Sequence, residues 1–270
     1  MRRRIESIVV LKLDHIGDFV LACDAFSDLR RAFPEARITL VCDPAIAASA
    51  ASLDIFDEVV AFQFFSPRGM GGPGPLYVDP AAFAGRITGR HDLAIDLRHD
   101  AETRPLLAHV DARIRAGYEA PGFVIALDFV MPRFPDVPSR LGQRHAVHAA
   151  TRMRLLVQAL VETLAGSREP GAIAAATAPS PGRSDYFAMA PGSGVTLKNW
   201  SAERFAELGR RLATRLGKRA VIVGGTGEVG MGRDIAAAIG SDRATSLAGA
   251  QALPELHDTI RGAGLFIGND

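Results

Sequence analysis

Cysteine is scarce in this 270-residue chain, which has only Cys23 and Cys42. Two cysteines cannot form a disulfide framework in a chain of this length, and neither lies in a zinc-ligand spacing. No run approaches the ~20 apolar residues of a membrane-spanning helix. The basic N-terminal segment imitates a signal peptide, but Glu6, Lys12 and Asp14 interrupt its apolar runs. These absences favour a folded protein of a reducing, cytoplasmic compartment.

An excess of charge of either sign is also missing. Lys and Arg number 31 against 30 Asp and Glu, which leaves a net charge of +1. This balance argues against a charge-driven partner such as nucleic acid. Aromatic residues make up only 7%, but 48% of the chain is hydrophobic and 23% charged, as in globular proteins. The length is that of about two domains.

Short β-branched runs alternate with helical patterns, which predicts α/β domains with parallel sheets. The runs lack strict polar alternation, as strands covered on both faces do. In the first half we expect helices near 17–33 and 145–165 and strands at 7–13, 37–42, 57–62, 92–97 and 112–117. In the second half we expect strands within 185–191, 219–225, 244–249 and 264–270, with helices at 201–217, 228–240 and 252–263.

Composition also suggests where these domains end. Residues 171–184 are a low-complexity stretch of Gly, Ala, Ser and Pro, which predicts a linker. We therefore expect an N-terminal domain at 1–170 and a C-terminal domain at 185–270. The Gly- and Pro-rich stretch 66–75 predicts a long surface loop, either a substrate-contacting loop or a plain excursion. Residues 121–138 are also expected to be irregular.

Asp18 lies between the first strand and the first helix, in the sequence LDHIGD. This turn falls at the carboxyl end of the sheet, where open α/β folds bind ligands. A carboxylate there is well placed for chemistry, but a helix N-terminus also stabilises a carboxylate, so Asp18 is alternatively a helix cap. Position alone favours the cap.

The second domain holds a glycine pattern, GTGEVG, at 225–230. It has the GxGxxG form of dinucleotide-binding turns, but it follows the second strand of its unit and no ribose-binding acid follows ~20 residues later. A turn near a nucleotide, with Glu228 available to a ribose hydroxyl, is a more modest interpretation. A purely structural turn is the third.

The segment APGSGVTLKNW at 190–200 joins the first strand of this domain to its first helix. Its small residues allow backbone N–H groups to approach an anion, while Ser193, Thr196 and Lys198 add hydroxyls and a cation. It lacks the GxxxxGK[ST] pattern of a Walker A loop. A diphosphate site is one interpretation, and a solvated lysine on an ordinary loop is the other.

Several catalytic motifs are missing. The sequence contains no GxSxG, no HExxH and no Asp-x-Asp pair of the kind that holds a metal against a diphosphate. His145 and His148 are three residues apart on a predicted helix, but no third ligand accompanies them. We therefore expect neither a bound metal nor a cofactor.

In order along the chain, LKLDHIGD, DLAIDLR, KNWSAERF, VGGTGE, LPEL and the terminal GND resemble glycosyltransferase family 9, the ADP-heptose:lipopolysaccharide heptosyltransferases. The resemblance extends from residue 7 to residue 270. It implies a GT-B-like fold of two Rossmann-like domains, with acceptor binding in the first and donor binding in the second. The implied reaction is an inverting, metal-independent transfer of heptose from ADP-heptose to a lipid-linked core glycan. That reaction implies a cytoplasmic protein with peripheral contact at the inner face of the cytoplasmic membrane.

The resemblance also assigns roles to individual residues. Asp18 matches the proposed general base of the family. The implied donor-binding residues are Ser193, Gly194, Thr196 and Lys198 for the diphosphate, Glu228 for the adenosine ribose and Asp270 for the donor sugar.

One departure from the family pattern leaves alternatives open. Family members continue after GND with a Ser or Thr, a Gly and a nearby His, so we expect a second domain that is incomplete, less stable than the first and weak in donor binding. A non-catalytic relative that binds a glycan or a partner is one alternative function. An NAD- or nucleotide-sugar-dependent dehydrogenase based on Gly225 to Gly230 is the other.

Overall fold

A computed structural model of the chain describes residues 4–65, 77–123, 125–139, 142–145, 147–165, 184–193 and 199–269. The chain divides into two compact units, Met1–Ala176 (unit 1) and Thr177–Asp270 (unit 2). Each unit is built on its own parallel sheet, and the second sheet is the smaller. The α/β fold class predicted from the alternating pattern is therefore confirmed.

Unit 1 has a six-stranded sheet. Its strands are β1 (Ser7–Lys12), β2 (Arg37–Cys42), β3 (Glu58–Ala61), β4 (His91–Asp96), β5 (Ala112–Tyr118) and β6 (Phe129–Met131), and its helices are α1 (Ile16–Ala32), α2 (Pro44–Ala51) and α3 (Ala149–Ala165). A two-stranded antiparallel sheet, β7 (Asp136–Ser139) and β8 (Gly142–His145), precedes α3. The large sheet has the order β3-β2-β1-β4-β5-β6, and all its neighbours are parallel.

Burial on both faces explains the continuous apolar run of β1. Ile8 and Val10 pack on one side with α1 and α3, whereas Val9 and Leu11 pack on the other side, where Phe83 lies. All four strand residues are fully buried. A strand enclosed in this way needs no polar face, which is why its sequence does not alternate.

The strand order places the switch point of unit 1 between β1 and β4. Sequentially, β1 continues to β2 on one side, while β4 and β5 extend the sheet on the other. At such a point the loops after the two strands diverge and leave a crevice at the carboxyl edge, where doubly wound folds bind their ligands. The edge is formed here by the residues that follow Lys12 and Asp96.

Unit 2 repeats this arrangement on a smaller scale. Its elements are β9 (Tyr186–Ala190), α4 (Ala202–Leu216), β10 (Arg219–Ile222), α5 (Val229–Ile239), β11 (Ala244–Ser246), α6 (Leu253–Gly262) and β12 (Phe266–Gly268). The parallel sheet has the order β11-β10-β9-β12, so its switch point lies between β9 and β12. Helix α4 ends at Gly217, whose φ of +63° is the left-handed conformation that glycine adopts without strain.

The predicted strands and helices are found near their expected positions. The stretch 121–138, expected to be irregular, instead contributes β6, which extends the main sheet, and β7. Both are only three or four residues long and lie among prolines, so they lack a recognisable strand pattern. The predicted linker 171–184 lies almost wholly outside the described residues, as does the loop 66–75. In the described ranges, no helix combines the length and hydrophobicity that a membrane span requires.

Candidate functional site

Asp18 lies at the switch point of unit 1, in the first turn of α1. The half-buried residue lines a solvent-open pocket of about 60 Å³ at the carboxyl edge of the sheet. Most of the pocket's other lining side chains are charged or ionisable: Lys12, Asp14, Arg98, His99, Asp100 and Arg152. The predicted base therefore occupies a polar pocket.

The geometry of α1 bears on the alternative role of Asp18 as a cap. The N-cap residue is His15, and its side chain makes no capping hydrogen bond. Asp18 is the third helical residue, the position from which an acidic side chain reaches back to the N-cap N–H in a capping box. No such hydrogen bond is found for Asp18 in the described part of the chain. The carboxylate interacts instead with the helix N-terminus and with the charge of the buried Lys12.

Behind Asp18 lies a buried ionic network that joins the loops after β1 and β4. Lys12 Nζ contacts one oxygen of Asp14, and Arg98 Nη1 contacts the other. Lys12 and Asp14 are only 4% and 3% exposed. Burial lowers the pKa of Lys12 to about 8, although the negative charges of Asp18 and Asp96 oppose this effect. The network thus places a cation with a shifted pKa beside the candidate base.

Arg98 connects this network to the base of the loop 66–75. Its other guanidinium nitrogens contact Glu102 Oε2 at 3.2 Å and Asp100 Oδ2 at 3.4 Å. The guanidinium also lies 4.7 Å from the ring centroid of Phe65, which pairs with Tyr77 in an isolated antiparallel bridge. Residues 66–76 lie outside the described chain, but Phe65 and Tyr77 show that this loop starts and ends beside the pocket.

A second buried ion pair supports the end of β4. Asp96 Oδ2 accepts from Arg104 Nη1 at 2.7 Å and from Thr103 Oγ1 at 2.8 Å. Arg104 is fully buried, and its guanidinium packs closely against Gly117. A Cβ atom at position 117 would lie only 2.5 Å from Arg104 Nη1. Gly117 is therefore required for this packing. The pair fixes the backbone from which Arg98 extends, because Arg104 Nη2 donates to the Arg98 carbonyl at 2.9 Å.

Four residues of this pocket were not predicted from the sequence: Lys12, Asp14, Arg98 and Arg152. Three of them follow or end a strand, which was visible in the sequence. Their convergence depends on β1 and β4 being neighbours, however, and the order of strands in a sheet is not encoded by any local pattern. The adjacency of two strand ends was therefore the missing signal.

In unit 2 the corresponding edge contains the segment after β9. Ser193 is described and half buried, whereas Gly194, Thr196, Lys198 and Asp270 lie outside the described residues, so their predicted roles stay predictions. The described boundaries of the segment are Pro191 to Ser193 and Asn199 to Trp200. Helix α4 follows, with Ser201 as its N-cap.

Glu228 folds back onto its own turn. Its Oε2 accepts a hydrogen bond of 2.7 Å from the Gly225 N–H. Its side chain also packs against Gly192, where a Cβ atom would lie 2.6 Å from Glu228 Cγ. The turn after β10 and the segment after β9 are thus in contact, and glycine is needed at position 192 for that contact. One carboxylate oxygen of Glu228 is committed to Gly225, while its assignment to a ribose stays a prediction.

Asn269, which follows β12, contacts both ends of the segment after β9. Its Nδ2 donates to the Pro191 carbonyl at 2.5 Å, and its Oδ1 accepts from the Trp200 N–H at 3.1 Å. Within the GND motif a role was predicted for Asp270 but none for Asn269. As with Arg98, the contact depends on a strand order that the sequence does not show.

No group of three or more His, Cys, Asp or Glu side chains in the described part of the chain is arranged to hold a metal ion. His148 is described, and its Nδ1 accepts a long hydrogen bond of 3.3 Å from the Ala150 N–H. The metal independence inferred from the sequence stays a prediction.

Comparison with known proteins agrees with this architecture. Residues 144–270 match the family model of glycosyltransferase family 9 (heptosyltransferase). The glycosyl transferase family 9 structure from Veillonella parvula DSM 2008 is 21% identical, with a TM-score of 0.69, over 99% of this chain and 76% of that one. E. coli heptosyltransferase WaaC with ADP is 16% identical, with a TM-score of 0.71, over 98% of this chain and 81% of that one. No curated protein matches the sequence.

A third solved structure gives the same result. The E. coli ADP-heptose lps heptosyltransferase II is 14% identical, with a TM-score of 0.65, over 98% of this chain and 79% of that one. At these identities the structures show a shared fold, and the family model adds a sequence match over the second half of the chain. The GT-B-like fold is therefore confirmed, and the family model supports the resemblance to glycosyltransferase family 9 over residues 144–270.

Proposed function

We propose that this chain is a family 9 glycosyltransferase, which moves a heptose from ADP-heptose onto a hydroxyl of a lipopolysaccharide core glycan, with inversion and without a metal. The family model supports a heptosyl donor. E. coli WaaC, which shares the fold, is known with ADP and with ADP-2-deoxy-2-fluoro heptose. The observation that contributes most is the Asp18 carboxylate, held at the switch point of unit 1 and lining a polar pocket.

The reaction requires a base. In an inverting transfer the acceptor oxygen attacks the anomeric carbon while the bond from that carbon to the diphosphate oxygen breaks, and ADP leaves with the bonding electrons. Asp18 takes the proton from the acceptor hydroxyl, as a general base. Lys12 lies buried nearby, and its ammonium interacts electrostatically with the Asp18 carboxylate.

The second requirement is stabilisation of the departing diphosphate. We assign this to the segment after β9, with Ser193, Gly194, Thr196 and Lys198, and to the N-terminus of the 15-residue helix α4. Glu228 is assigned to the adenosine ribose and Asp270 to the donor sugar. In this assignment Lys198 and the helix N–H groups neutralise the charge that a metal ion neutralises elsewhere.

The proposed acceptor implies what the enzyme contacts and where in the cell it works. A core glycan is linked to lipid, so the enzyme would work in the cytoplasm in peripheral contact with the inner face of the membrane. The dehydrogenase alternative gains no support, because the glycine turn follows β10 rather than the first strand of its sheet. The non-catalytic alternative becomes one outcome of the test below.

Two measurements on the full chain test the proposal. ADP-heptose and other nucleotide sugars are incubated with crude lipid acceptor, and products are identified by mass. Calorimetry then measures ADP affinity with and without EDTA, using Lys198→Ala as the variant and Lys218→Ala, in the same unit, as the control. We expect a heptose-sized mass gain, EDTA-independent binding and weaker binding only for Lys198→Ala. ADP binding without any product from any donor would favour the non-catalytic alternative, and strict magnesium dependence would contradict the metal-free assignment.

A further inference from the structure

Several basic side chains of unit 2 lie together at one edge of its sheet. In a parallel sheet every helix-to-strand connection returns to the edge where the strands begin, so the last turns of α4, α5 and α6 lie there with the connections that follow them. Five cationic residues belong to these turns, connections and strand starts, and we call them the basic edge: Arg215, Lys218, Arg219, Arg243 and Arg261. Lys218 is partly exposed and the other four are exposed.

Contacts between the three connections hold these cations close together. Arg243 Nη1 donates to Thr214 Oγ1 at 3.1 Å, which joins the residue before β11 to the last turn of α4. Lys218 Nζ reaches the connection before β12, where a Cβ atom on Gly264 would lie 2.8 Å from it. Arg219 begins β10, which pairs with β11 on one side and with β9 on the other. The cations therefore form one continuous surface.

Negative charge does not balance this surface. Among the described residues, the connections and strand starts at the same edge contain two acids, Asp185 and Asp242. Asp242 Oδ2 lies 3.5 Å from Arg243 Nε, but these side chains are 79% and 53% exposed, and such exposed pairs are weak. The edge thus has a surplus of three positive charges, although the whole chain carries only +1.

The opposite, carboxyl edge of this sheet has acids at its helix starts, Glu203 in α4 and Glu255 in α6. Helix dipoles favour acids at N-termini and cations at C-termini, and this effect falls off within the last turn. It is a sufficient reason for Arg215, which lies in the last turn of α4. It does not account for Arg219 and Arg243, which lie beyond the helices.

Large apolar side chains are exposed at the same edge. Leu216 ends α4 and is 43% exposed, while Leu265 and Phe266, at the start of β12, are 42% and 46% exposed. An anionic bilayer suits this combination, because its headgroups attract Lys and Arg while apolar side chains enter the headgroup boundary. A nucleic-acid backbone would use the cations alone. The exposed leucines therefore favour lipid.

We propose that the basic edge of unit 2 is a membrane-docking surface, which binds anionic lipid headgroups through its cations and inserts Leu216, Leu265 and Phe266 at the interface. The choice of a lipid surface rests on the proposed function, because that function takes a lipid-linked acceptor. Docking by this edge leaves the carboxyl edge of unit 2 open to the donor.

The test measures sedimentation of the full chain with vesicles of phosphatidylcholine, alone or mixed with phosphatidylglycerol. Each Lys or Arg near an anionic bilayer strengthens binding roughly fivefold, so we expect Arg215→Gln/Lys218→Gln to bind the mixed vesicles about 10- to 30-fold more weakly. Arg210→Gln/Arg233→Gln is the matched control. It removes two exposed cations of unit 2 that lie outside the basic edge, and it should bind as the wild type does.

Two further measurements sharpen this test. Leu216→Ser should weaken binding to the mixed vesicles about threefold, because it removes part of the apolar contact. An unaltered affinity in this variant would overturn the insertion. Tm should be the same in the wild type and both double variants. A lower Tm in Arg215→Gln/Lys218→Gln alone would mean that these cations stabilise the end of α4, and it would overturn the docking role.

Other outcomes would also overturn the inference. These are equal weakening in both double variants, equal binding to vesicles with and without phosphatidylglycerol, and binding of duplex DNA in place of vesicles. Transfer to a detergent-dispersed acceptor by a wild type that binds no vesicles would overturn the docking surface and leave the proposed function intact. Specific vesicle binding without product from any donor would support the docking surface and contradict the proposed function.

Discussion

The two units use the same topological position in different ways. In unit 1 the first strand, β1, lies between β2 and β4, and in unit 2 the first strand, β9, lies between β10 and β12. The pairs β1–β4 and β9–β12 therefore form equivalent switch points. In unit 1 the loops across this point are joined by charges, Asp14 to Arg98. In unit 2 they are joined by the neutral carboxamide of Asn269. Equivalent scaffolds therefore support edges of different chemistry.

This difference matches the division of labour that the proposed reaction needs. A buried network of cations and carboxylates can set the protonation state of a base, because each charge acts strongly where water is excluded. A segment held by backbone groups and close glycine contacts instead leaves its N–H groups able to approach an anion. The proposed function accordingly assigns proton transfer to unit 1 and diphosphate binding to unit 2.

The largest expected effect is on Asp18, the base in unit 1. Asp18→Asn preserves the shape of the side chain but removes the proton acceptor, so we expect turnover to fall roughly 10²- to 10⁴-fold. ADP affinity should stay the same, since donor binding is assigned to unit 2. Turnover is measured with ADP-heptose and lipid acceptor, and affinity by calorimetry.

Asp24→Asn is the matched control for this prediction. Asp24 is also on α1, its side chain is 52% exposed, and its ion-pair partner Arg154 lies 3.8 Å away. This variant should retain normal turnover. Near-normal turnover in Asp18→Asn would mean that Asp18 only stabilises the N-terminus of α1, and the contrast between the two edges would lose its catalytic meaning.

The next largest effect concerns the buried ion pair behind the site. Arg104→Met leaves Asp96 charged and buried without its partner, and breaking such a pair costs about 3–5 kcal/mol of unfolding free energy. Arg210→Met is the control in unit 2, because Arg210 and Glu207 form an exposed pair, with side chains 53% and 45% exposed. That loss should be at most about 1 kcal/mol. Urea unfolding followed by circular dichroism measures both, and equal losses would contradict the role of buried charge in unit 1.

The sequence allowed most strands and helices to be predicted, but not α2 or the short strands β6, β7 and β8, and not the contacts across the switch points. The run from Ile8 to Leu11 and the helical spacing of Phe19, Phe26 and Leu29 are local patterns, and burial in the structure accounts for both. The pairing of Asp14 with Arg98 joins residues 84 positions apart through the order of β1 and β4. No pattern along the chain specifies that order, so Asp18 was predicted as a site residue while its ionic surroundings were not.

The third prediction uses the pH dependence of Lys12. Its pKa is lowered by burial from 10.5 to about 8, so between these values the unfolded chain holds a proton that the folded chain has released. The free-energy cost of burying the charged Lys12 ammonium is fully present below pH 8. This cost is relieved as the pH rises towards 10.5, because the folded chain then holds the neutral amine. Relative to Lys12→Met, the wild type should gain on the order of 3 kcal/mol of unfolding free energy across this range.

Urea unfolding of the wild type and Lys12→Met at several pH values from 7 to 10.5 measures this gain. The charges that act on the Lys12 ammonium are those of Asp18, Arg98, Asp96 and Arg152, and all four residues are present in both proteins. A difference that stays constant over the range would show that Lys12 is held as a cation throughout. The edge of unit 1 would then be a fixed ionic scaffold.

The smallest effect is expected for Glu228 in unit 2. Glu228→Gln keeps an oxygen that accepts from the Gly225 N–H but replaces a charged acceptor of the ribose hydroxyls by a neutral one. We expect about fivefold weaker ADP binding, the equivalent of about 1 kcal/mol. Inorganic pyrophosphate and 2′,3′-dideoxy-ADP lack these hydroxyls, so calorimetry should show no loss for either. An equal loss for pyrophosphate would mean that Glu228 acts only by packing against Gly192. Glu228 would then shape the start of the segment after β9 without recognising the ribose.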